Sequence, residues 1–455
     1  MAVKENKMGV LPVKRLIISM SLPMMLSMLV QALYNVVDSI FVAQIDEAAL
    51  TAVTLAFPLQ NLMIALGSGT GVGMNALLSR SLGEKKFERS DAAANTTILL
   101  TFMNFVVFFL IGVFGVEPFI RTQTSDPQII AYAVMYLRII CCMSIGLFCQ
   151  MSFERMLQST GRTVFSMASQ MTGAIINIIM DPILIFGLFG LPAMGVAGAA
   201  LATVMGQIVG ACIGLYFNVK KNKDINIKPS LIFNPKADIV KEIYYVGIPS
   251  ILMMSIGSIM TYAMNLILTT FSTTATAVFG VYFKLQSFFF MPVFGLNNGL
   301  IPVLAYNLGA RKKQRIEEAL RFAMQLAVTI MVAGTITFLV IPQVLLKLFN
   351  ASPDMTAIGV PALRIICLSF PVAGVCIALG SVFQAFSESI YSLIVSVGRQ
   401  LVVLIPVAWL LSRTGNLNMV WWAFPIAEIA SFILSIYFFK KVYGKKVKTI
   451  IEADD

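Results

Sequence analysis

The chain has no histidine, and only 12% of its 455 residues are charged. Without imidazole it lacks the commonest general base and the commonest zinc ligand, which argues against most enzyme chemistries. Its six cysteines lie inside apolar runs and include no C-x-x-C pair, which argues against a metal cluster or a disulfide framework. No P-loop motif occurs, so ATP is not expected to drive the protein directly. We therefore expect neither an enzyme nor a resident cofactor.

Hydrophobic residues make up 58% of the chain, above the roughly 45–50% that is usual for soluble domains. They are concentrated in runs long enough for a helix of roughly 20 residues to span a bilayer. The runs predict an all-α polytopic membrane protein with twelve transmembrane helices, and the first is too long for the apolar part of a cleaved signal peptide. The predicted spans are 16–43, 48–79, 90–116, 127–150, 161–187, 192–219, 237–269, 274–306, 314–345, 353–380, 388–411 and 416–440.

The five letters LRIIC occur twice, starting at Leu137 and at Leu363, which is an offset of 226 in the numbering (363 − 137). Other landmarks repeat at the same spacing. Pro23 aligns with Pro249 (249 − 23), "FPLQ" aligns with "FKLQ", and "LGEKK" aligns with "LGARK". A constant offset of about half the chain predicts two homologous six-helix bundles. A solenoid would repeat at a much shorter period.

Positive charge predicts the orientation in the membrane. If both termini are inside, 25 of the 33 Lys and Arg residues lie at the termini or in inside loops, and three lie in outside loops. Because positive loops stay cytoplasmic, we expect a plasma-membrane protein with both termini in the cytoplasm and no nucleic-acid partner. Six helices per half make the repeats parallel, related by a pseudo-twofold axis along the membrane normal. The predicted division is an N-terminal bundle 1–219, a cytoplasmic linker 220–236, and a C-terminal bundle 237–455 with a basic tail.

Two like bundles without an enzyme site predict a secondary transporter, whose substrate binds between the repeats near the bilayer midplane. Its partners are expected to be small molecules and the lipid bilayer, with a monomer as the functional unit. The stretch "GSGTGVGMN" in helix 2 superficially resembles a phosphate-binding loop. Its glycines Gly69 and Gly73 recur as Gly295 and Gly299, so we expect them to allow close helix packing.

Carboxylates inside the membrane helices are few. Asp38 in helix 1 and Asp181 in helix 5 each cost roughly 2.5–3.5 kcal/mol to insert, and such residues are functional hypotheses by default. Asn177 lies one turn before Asp181, and Thr203 in helix 6 lies within reach in depth. The residues that align with these four at offset 226 are all apolar: Met264, Val403, Val407 and Ile429. Since the fold does not require polar groups there, we predict a cation-coupling site that binds a proton or a sodium ion.

Two further charges lie in the C-terminal bundle. Glu428 in helix 12 and Lys284 in helix 8 are predicted at nearly equal depth. Opposite charges at mid-membrane usually pair, so we expect these two residues to pair and to border the substrate cleft. Glu154 and Glu388 lie near cytoplasmic helix ends, where we expect them to be solvated.

Over nearly its whole length the chain resembles the multidrug and toxic compound extrusion (MATE) family of cation-coupled efflux transporters. The resemblance is carried by "VDSIFVAQI" in helix 1, "LGEKK" after helix 2, "NIIMDPILIFG" in helix 5 and "GVAGAALATVMGQ" in helix 6. It implies antiport of organic, commonly lipophilic cationic compounds against H⁺ or Na⁺ by rocking of two bundles. It also implies that Asp38, Asn177, Asp181 and Thr203 form the proton or sodium site.

Other classes of membrane protein fit the sequence less well. A lipid or glycan-lipid flippase of the same superfamily is the alternative, although such proteins usually carry more helices. A major facilitator transporter would carry an Asp-Arg-Gly signature after helix 2, where this chain has "RSLGEKKFERS". The missing histidine disfavours a membrane-embedded enzyme, and the duplicated halves disfavour a receptor or channel.

Overall fold

The computed structural model describes residues 6–349 and 351–450. Almost all of this described part is helical, and it contains no β-strand. Within it, eleven helical segments are long and apolar enough to span a membrane, and the bent pair Pro127–Cys142 and Ile145–Ser159 provides a twelfth span. The predicted all-α polytopic fold is confirmed.

The α-helices of the described residues are numbered in chain order. They are α1 (Lys7–Val10), α2 (Val13–Ala43), α3 (Glu47–Gly83), α4 (Phe87–Leu110), α5 (Val116–Arg121), α6 (Pro127–Cys142), α7 (Ile145–Ser159), α8 (Thr163–Phe186), α9 (Val196–Lys220), α10 (Pro229–Ile232), α11 (Ala237–Thr269), α12 (Thr273–Gly309), α13 (Lys313–Val340), α14 (Pro342–Lys347), α15 (Pro353–Ile366), α16 (Phe370–Ala385), α17 (Ser389–Val397), α18 (Ile405–Ser412), α19 (Leu417–Trp421) and α20 (Ala423–Lys446). Two π-helical segments, Ile111–Gly115 and Gly398–Leu404, and two 3₁₀ turns, Leu188–Gly190 and Cys367–Ser369, join some of them.

Two compact units divide the chain, and each boundary falls inside a long helix. The first unit contains Asn6 and Leu26–Ile251, and the second contains Lys7–Met25 together with residues 252–349 and 351–450. The boundaries in α2 and α11 are separated by the repeat offset (251 − 25), and each follows a helix-internal proline by two residues. The compact units therefore differ from the two sequence repeats by one helix segment each. Lys7–Met25 belongs to the second unit, and the part of α11 up to Ile251 belongs to the first. The predicted boundary between the two bundles, at the linker 220–236, stays a prediction. It concerns the sequence repeats and not these compact units.

The turns between helices repeat at the same offset. Asp46 caps the N-terminus of α3. Its carboxylate accepts a hydrogen bond at 2.6 Å from the backbone N–H of the residue three positions later. Ser272 occupies the equivalent position (272 − 46) and begins α12 in the same way at 3.1 Å. Lys85 and Arg311, which also align (311 − 85), both adopt positive φ, at 58° and 56°. Matching caps and turns support a duplicated bundle.

The LRIIC repeat marks a break in the fourth helix of each half. In the first half the motif lies at the end of α6, and α7 then continues at an angle of 47°. In the second half the motif covers the end of α15 and the first residue of the 3₁₀ turn Cys367–Ser369, which leads into α16. After each break the helix continues further than predicted, to Ser159 and to Ala385.

The repeated glycines lie on α3 and α12, where they let each helix pack closely against the backbone of a neighbouring helix. A Cβ added to Gly73 would lie 2.0 Å from the carbonyl oxygen of Ile243, so α3 meets α11 directly in the first unit. A Cβ on Gly299 would lie 2.7 Å from Ser21 Oγ, so α12 meets α2 in the second unit. These contacts confirm a role in helix packing.

Replacing Gly73 by Ala is expected to destabilise the protein by about 1–3 kcal/mol, because the added methyl group must displace a backbone carbonyl. The matched control is Gly280→Ala on α12, where an added Cβ meets nothing within 4 Å. That change should be neutral or stabilise by up to about 1 kcal/mol. Gel filtration of detergent-solubilised protein after heating would measure both. Equal melting temperatures for the two variants would contradict the packing argument.

Candidate cation-coupling site

A polar cluster lies in the first unit, where α8 packs against α9. Gly173 on α8 and Gly206 on α9 let the two backbones meet, since a Cβ on Gly206 would lie 2.5 Å from the carbonyl oxygen of Gly173. Small residues permit this close approach of helices in a membrane. As a result Asn177, one turn after Gly173, lies beside Thr203 on α9.

Hydrogen bonds join three of the four predicted site residues. With its amide nitrogen toward Asp181, Asn177 donates to Asp181 Oδ2 at 3.0 Å and accepts from the Thr203 backbone N–H at 2.9 Å. In the opposite orientation Asn177 Nδ2 donates to Thr203 Oγ1 at 3.1 Å, and Asp181 loses this donor. The first orientation satisfies more hydrogen-bonding groups than the second. All three side chains are at most 3% exposed.

Asp38 on α2 completes the cluster. Its carboxyl group lies within hydrogen-bonding reach of the Asp181 carboxyl group. The Oδ1 atom of each aspartate is buried and accepts no hydrogen bond from the described residues. Two carboxylates repel, so such a contact requires a shared proton or a cation between them. The structure thus brings the four predicted residues together, and their role in coupling stays a prediction.

Two tyrosines at this cluster were not identified from the sequence. Tyr34, on α2, lies close to the Thr203 side chain. Tyr136 on α6 is buried close to the same aspartates. At offset 226 they align with Met260 and Ala362. The comparison of halves that selected the four predicted residues would therefore have found the tyrosines as well.

The predicted pair of Glu428 with Lys284 is wrong. Glu428 is buried and pairs with Arg399 in the π-helical segment, at 3.2 Å between Nη1 and Oε2. The Lys284 side chain is exposed. It lies two residues from Tyr282 and Gln286 on α12, which face a cavity that also contacts Glu428. Residues two apart on a helix do not share a face. Lys284 therefore does not pair with Glu428, although the sequence predicts the two residues at nearly equal depth.

The expectation for Glu154 is also wrong, and Glu388 is only partly solvated. Because α7 continues to Ser159, Glu154 is inside a packed helix, 8% exposed, and accepts a hydrogen bond from Gln150 Nε2 at 3.0 Å. Glu388 is half-buried and forms an ion pair with Lys446 at 3.2 Å. In both cases helix packing covers a side chain that the sequence places near a helix end.

Comparison with known proteins identifies the family. The MatE family model matches residues 23–183 and 249–410, two segments whose starts are separated by the repeat offset (249 − 23). The multidrug export protein MepA of Staphylococcus haemolyticus is 26% identical over 420 residues, covering 92% of this chain and 91% of MepA. The FAD transporter of Shewanella oneidensis is 25% identical over 435 residues, covering 95% of each chain.

Solved structures show the same fold. The outward-facing conformation of a multidrug resistance MATE family transporter of the MOP superfamily is 25% identical, with a TM-score of 0.92, and covers 99% of this chain and 100% of that one. A MOP superfamily transporter from Pyrococcus furiosus, described as having a binding pocket of reverse polarity, is 25% identical with a TM-score of 0.88. It covers 99% of this chain and 100% of its own.

The duplicated all-helical fold is that of a multi-pass membrane transporter. The chain belongs to the MATE family of efflux transporters. Its relatives are transporters rather than enzymes.

Proposed function

We propose that the protein exports small organic compounds in exchange for a cation that binds at Asp38 and Asp181. The contact between these two carboxyl groups inside membrane helices carries the proposal. Binding or release of a cation changes the interaction between the two groups, and hence between α2 and α8. A ligand that interacts differently with two conformations shifts the equilibrium between them, which is what coupling requires.

The proton is the coupling ion that the geometry supports best. The two carboxyl groups approach within hydrogen-bonding reach, and they can do so with one shared proton and no further ligand. A sodium ion would need to lie between two ionised carboxylates and take further oxygens from Asn177, Thr203 or Tyr34. The oxygen-only donor set would suit such a hard cation, so sodium is the competitor that an experiment must test.

The proposed substrates are lipophilic organic cations, in keeping with the family resemblance. The names of the two relatives, a multidrug exporter and an FAD transporter, describe organic cargo. A lipid flippase has less support, because nothing in these two names refers to a lipid. The Lys and Arg distribution supports a plasma-membrane location with both termini in the cytoplasm, and we propose that one chain is the functional unit.

Transport by purified protein in liposomes tests the proposal. Ethidium, as an organic cation, and FAD, as an anionic dinucleotide, would each be offered under an imposed H⁺ gradient and, separately, an imposed Na⁺ gradient. We expect ethidium to move against its own gradient when protons are supplied and not when only sodium is supplied. Movement driven by sodium alone would overturn the proton assignment. Movement of FAD but not ethidium would overturn the substrate class.

A further inference from the structure

The second unit contains a cavity that the coupling site does not use. Its volume is about 520 Å³, within the range of roughly 300–1,000 Å³ found for small-molecule sites. Tyr282, Phe283 and Phe424 form an aromatic wall, with the Tyr282 ring centroid 5.5 Å from Phe283 and 6.0 Å from Phe424. Flexible thioether side chains, which adapt to ligands of different shape, also line it: Met253, Met254, Met260 and Met291.

The ion pair of Arg399 and Glu428 lies in the wall of this cavity and is incompletely satisfied. Glu428 Oε1 is buried and accepts no hydrogen bond from the described residues. The Arg399 guanidinium is 31% exposed and donates to Glu428 through one nitrogen, Nη1. The pair therefore leaves one buried carboxylate oxygen without a donor, beside guanidinium N–H groups that Glu428 does not engage.

Two independent features indicate that the fold does not require this pair. At offset 226, Arg399 aligns with Gly173 and Glu428 aligns with Ala202, so the first half carries no charge at either position. The π-helical segment Gly398–Leu404, which holds Arg399, aligns with residues 172–178, and those lie in the regular helix α8. Single π-helical turns frequently occur at functional sites.

We propose that this cavity binds planar aromatic zwitterions. The ligand's cationic N–H group donates to Glu428 Oε1, its carboxylate accepts from Arg399, and its ring packs on the aromatic wall. A cation alone would bind close to the Arg399 charge, and an anion alone would bind close to the Glu428 charge. A ligand with both charges completes the pair without leaving either group unmatched. The inference rests on the proposed export function only in treating the ligand as cargo, because binding can be measured without transport.

Three dyes of nearly the same shape provide the test. They are a rhodamine with unsubstituted amino groups and a free carboxylate, the methyl ester of that rhodamine, and fluorescein, which are a zwitterion, a cation and an anion respectively. Fluorescence polarisation with the purified full-length chain measures each affinity. We expect the wild-type protein to bind the zwitterion at least about tenfold more tightly than either other dye. Equal affinity for the three dyes would overturn the proposal.

Variants of the pair distinguish a binding role from a structural one. Arg399→Gln leaves an unmatched carboxylate and should shift the preference to the cationic ester, whereas Glu428→Gln should shift it to fluorescein. The double variant keeps a neutral pair of similar shape and should bind the three dyes with affinities within about threefold of one another. Lys284→Gln, at the exposed lysine outside the cavity, should keep the wild-type preference.

A zwitterion preference that survives in the double variant would overturn the proposal even if either single variant failed to fold. Failure of the proposed export function would leave the binding result unaffected, because the assay contains no ion gradient. The two hypotheses can therefore fail separately.

Discussion

The Asp38→Asn variant is expected to fold and to remain in the membrane, while its export driven by a H⁺ gradient falls to the level of protein-free liposomes. Asparagine keeps the size of the side chain and can still hydrogen-bond to Asp181, but it cannot bind and release a proton. Removing one of two mutually repelling carboxyl groups should leave thermal stability unchanged or raise it by up to about 1 kcal/mol. Loss of activity without loss of stability is the signature of a functional site. Ethidium transport and gel filtration after heating measure the two quantities.

Asp181→Asn should have the same effect, and the double variant should be no worse than either single variant. The two carboxyl groups hold the exchanged proton as a pair, so their contributions to coupling are not additive. The matched control is Asp126→Asn. Asp126 is exposed and begins α6 by accepting a hydrogen bond from the Gln128 backbone N–H at 2.9 Å, which asparagine also does well. Wild-type export by the Asp38→Asn protein would show that the carboxylate is only structural.

Removing one partner of the Arg399–Glu428 pair should have the second large effect. Glu428→Gln or Arg399→Gln is expected to cost about 2–3 kcal/mol of stability, because each leaves the other charge partly buried and unpaired. This lies at the low end for buried pairs, since Arg399 retains 31% exposure. The double variant should recover part of the loss. Thermal unfolding of the four proteins, arranged as a double-mutant cycle, measures the coupling.

The control for this cycle is Lys284→Gln. Because Lys284 is exposed, its replacement should change stability by no more than about 0.5 kcal/mol. Combining it with Glu428→Gln should give additive losses, since the two side chains do not pair. A coupling energy between residues 284 and 428 larger than that between 399 and 428 would restore the pairing that the sequence alone predicted.

Much of the fold could be predicted because the relevant signals are local. A membrane helix depends on an apolar run of sufficient length, and the predicted span 237–269 coincides with α11. The sequence was less informative where a helix bends or changes its hydrogen bonding. The break after α6 and the π-helical segment Gly398–Leu404 leave the surrounding apolar run intact. Hydropathy therefore does not detect them.

The four polar residues of the first half could be identified because the duplicated second half provides an apolar reference. Asp38 and Asp181 stand out against Met264 and Val407 without any knowledge of packing. Tyr34 carries the same signal, since it aligns with Met260.

Which side chains meet depends on the rotation of each helix about its own axis, and this was decided by packing. Lys284 and Arg399 are both cations within apolar runs, and depth alone does not distinguish them as partners for Glu428. The π-helical segment places Arg399 at the cavity wall, while α12 directs Lys284 away from the cavity. The approach of α8 and α9 at Gly173 and Gly206 likewise depends on contacts between distant parts of the chain. Such contacts arise only when the helices pack together, because one helix's sequence specifies its own length and faces but not the neighbour that covers them.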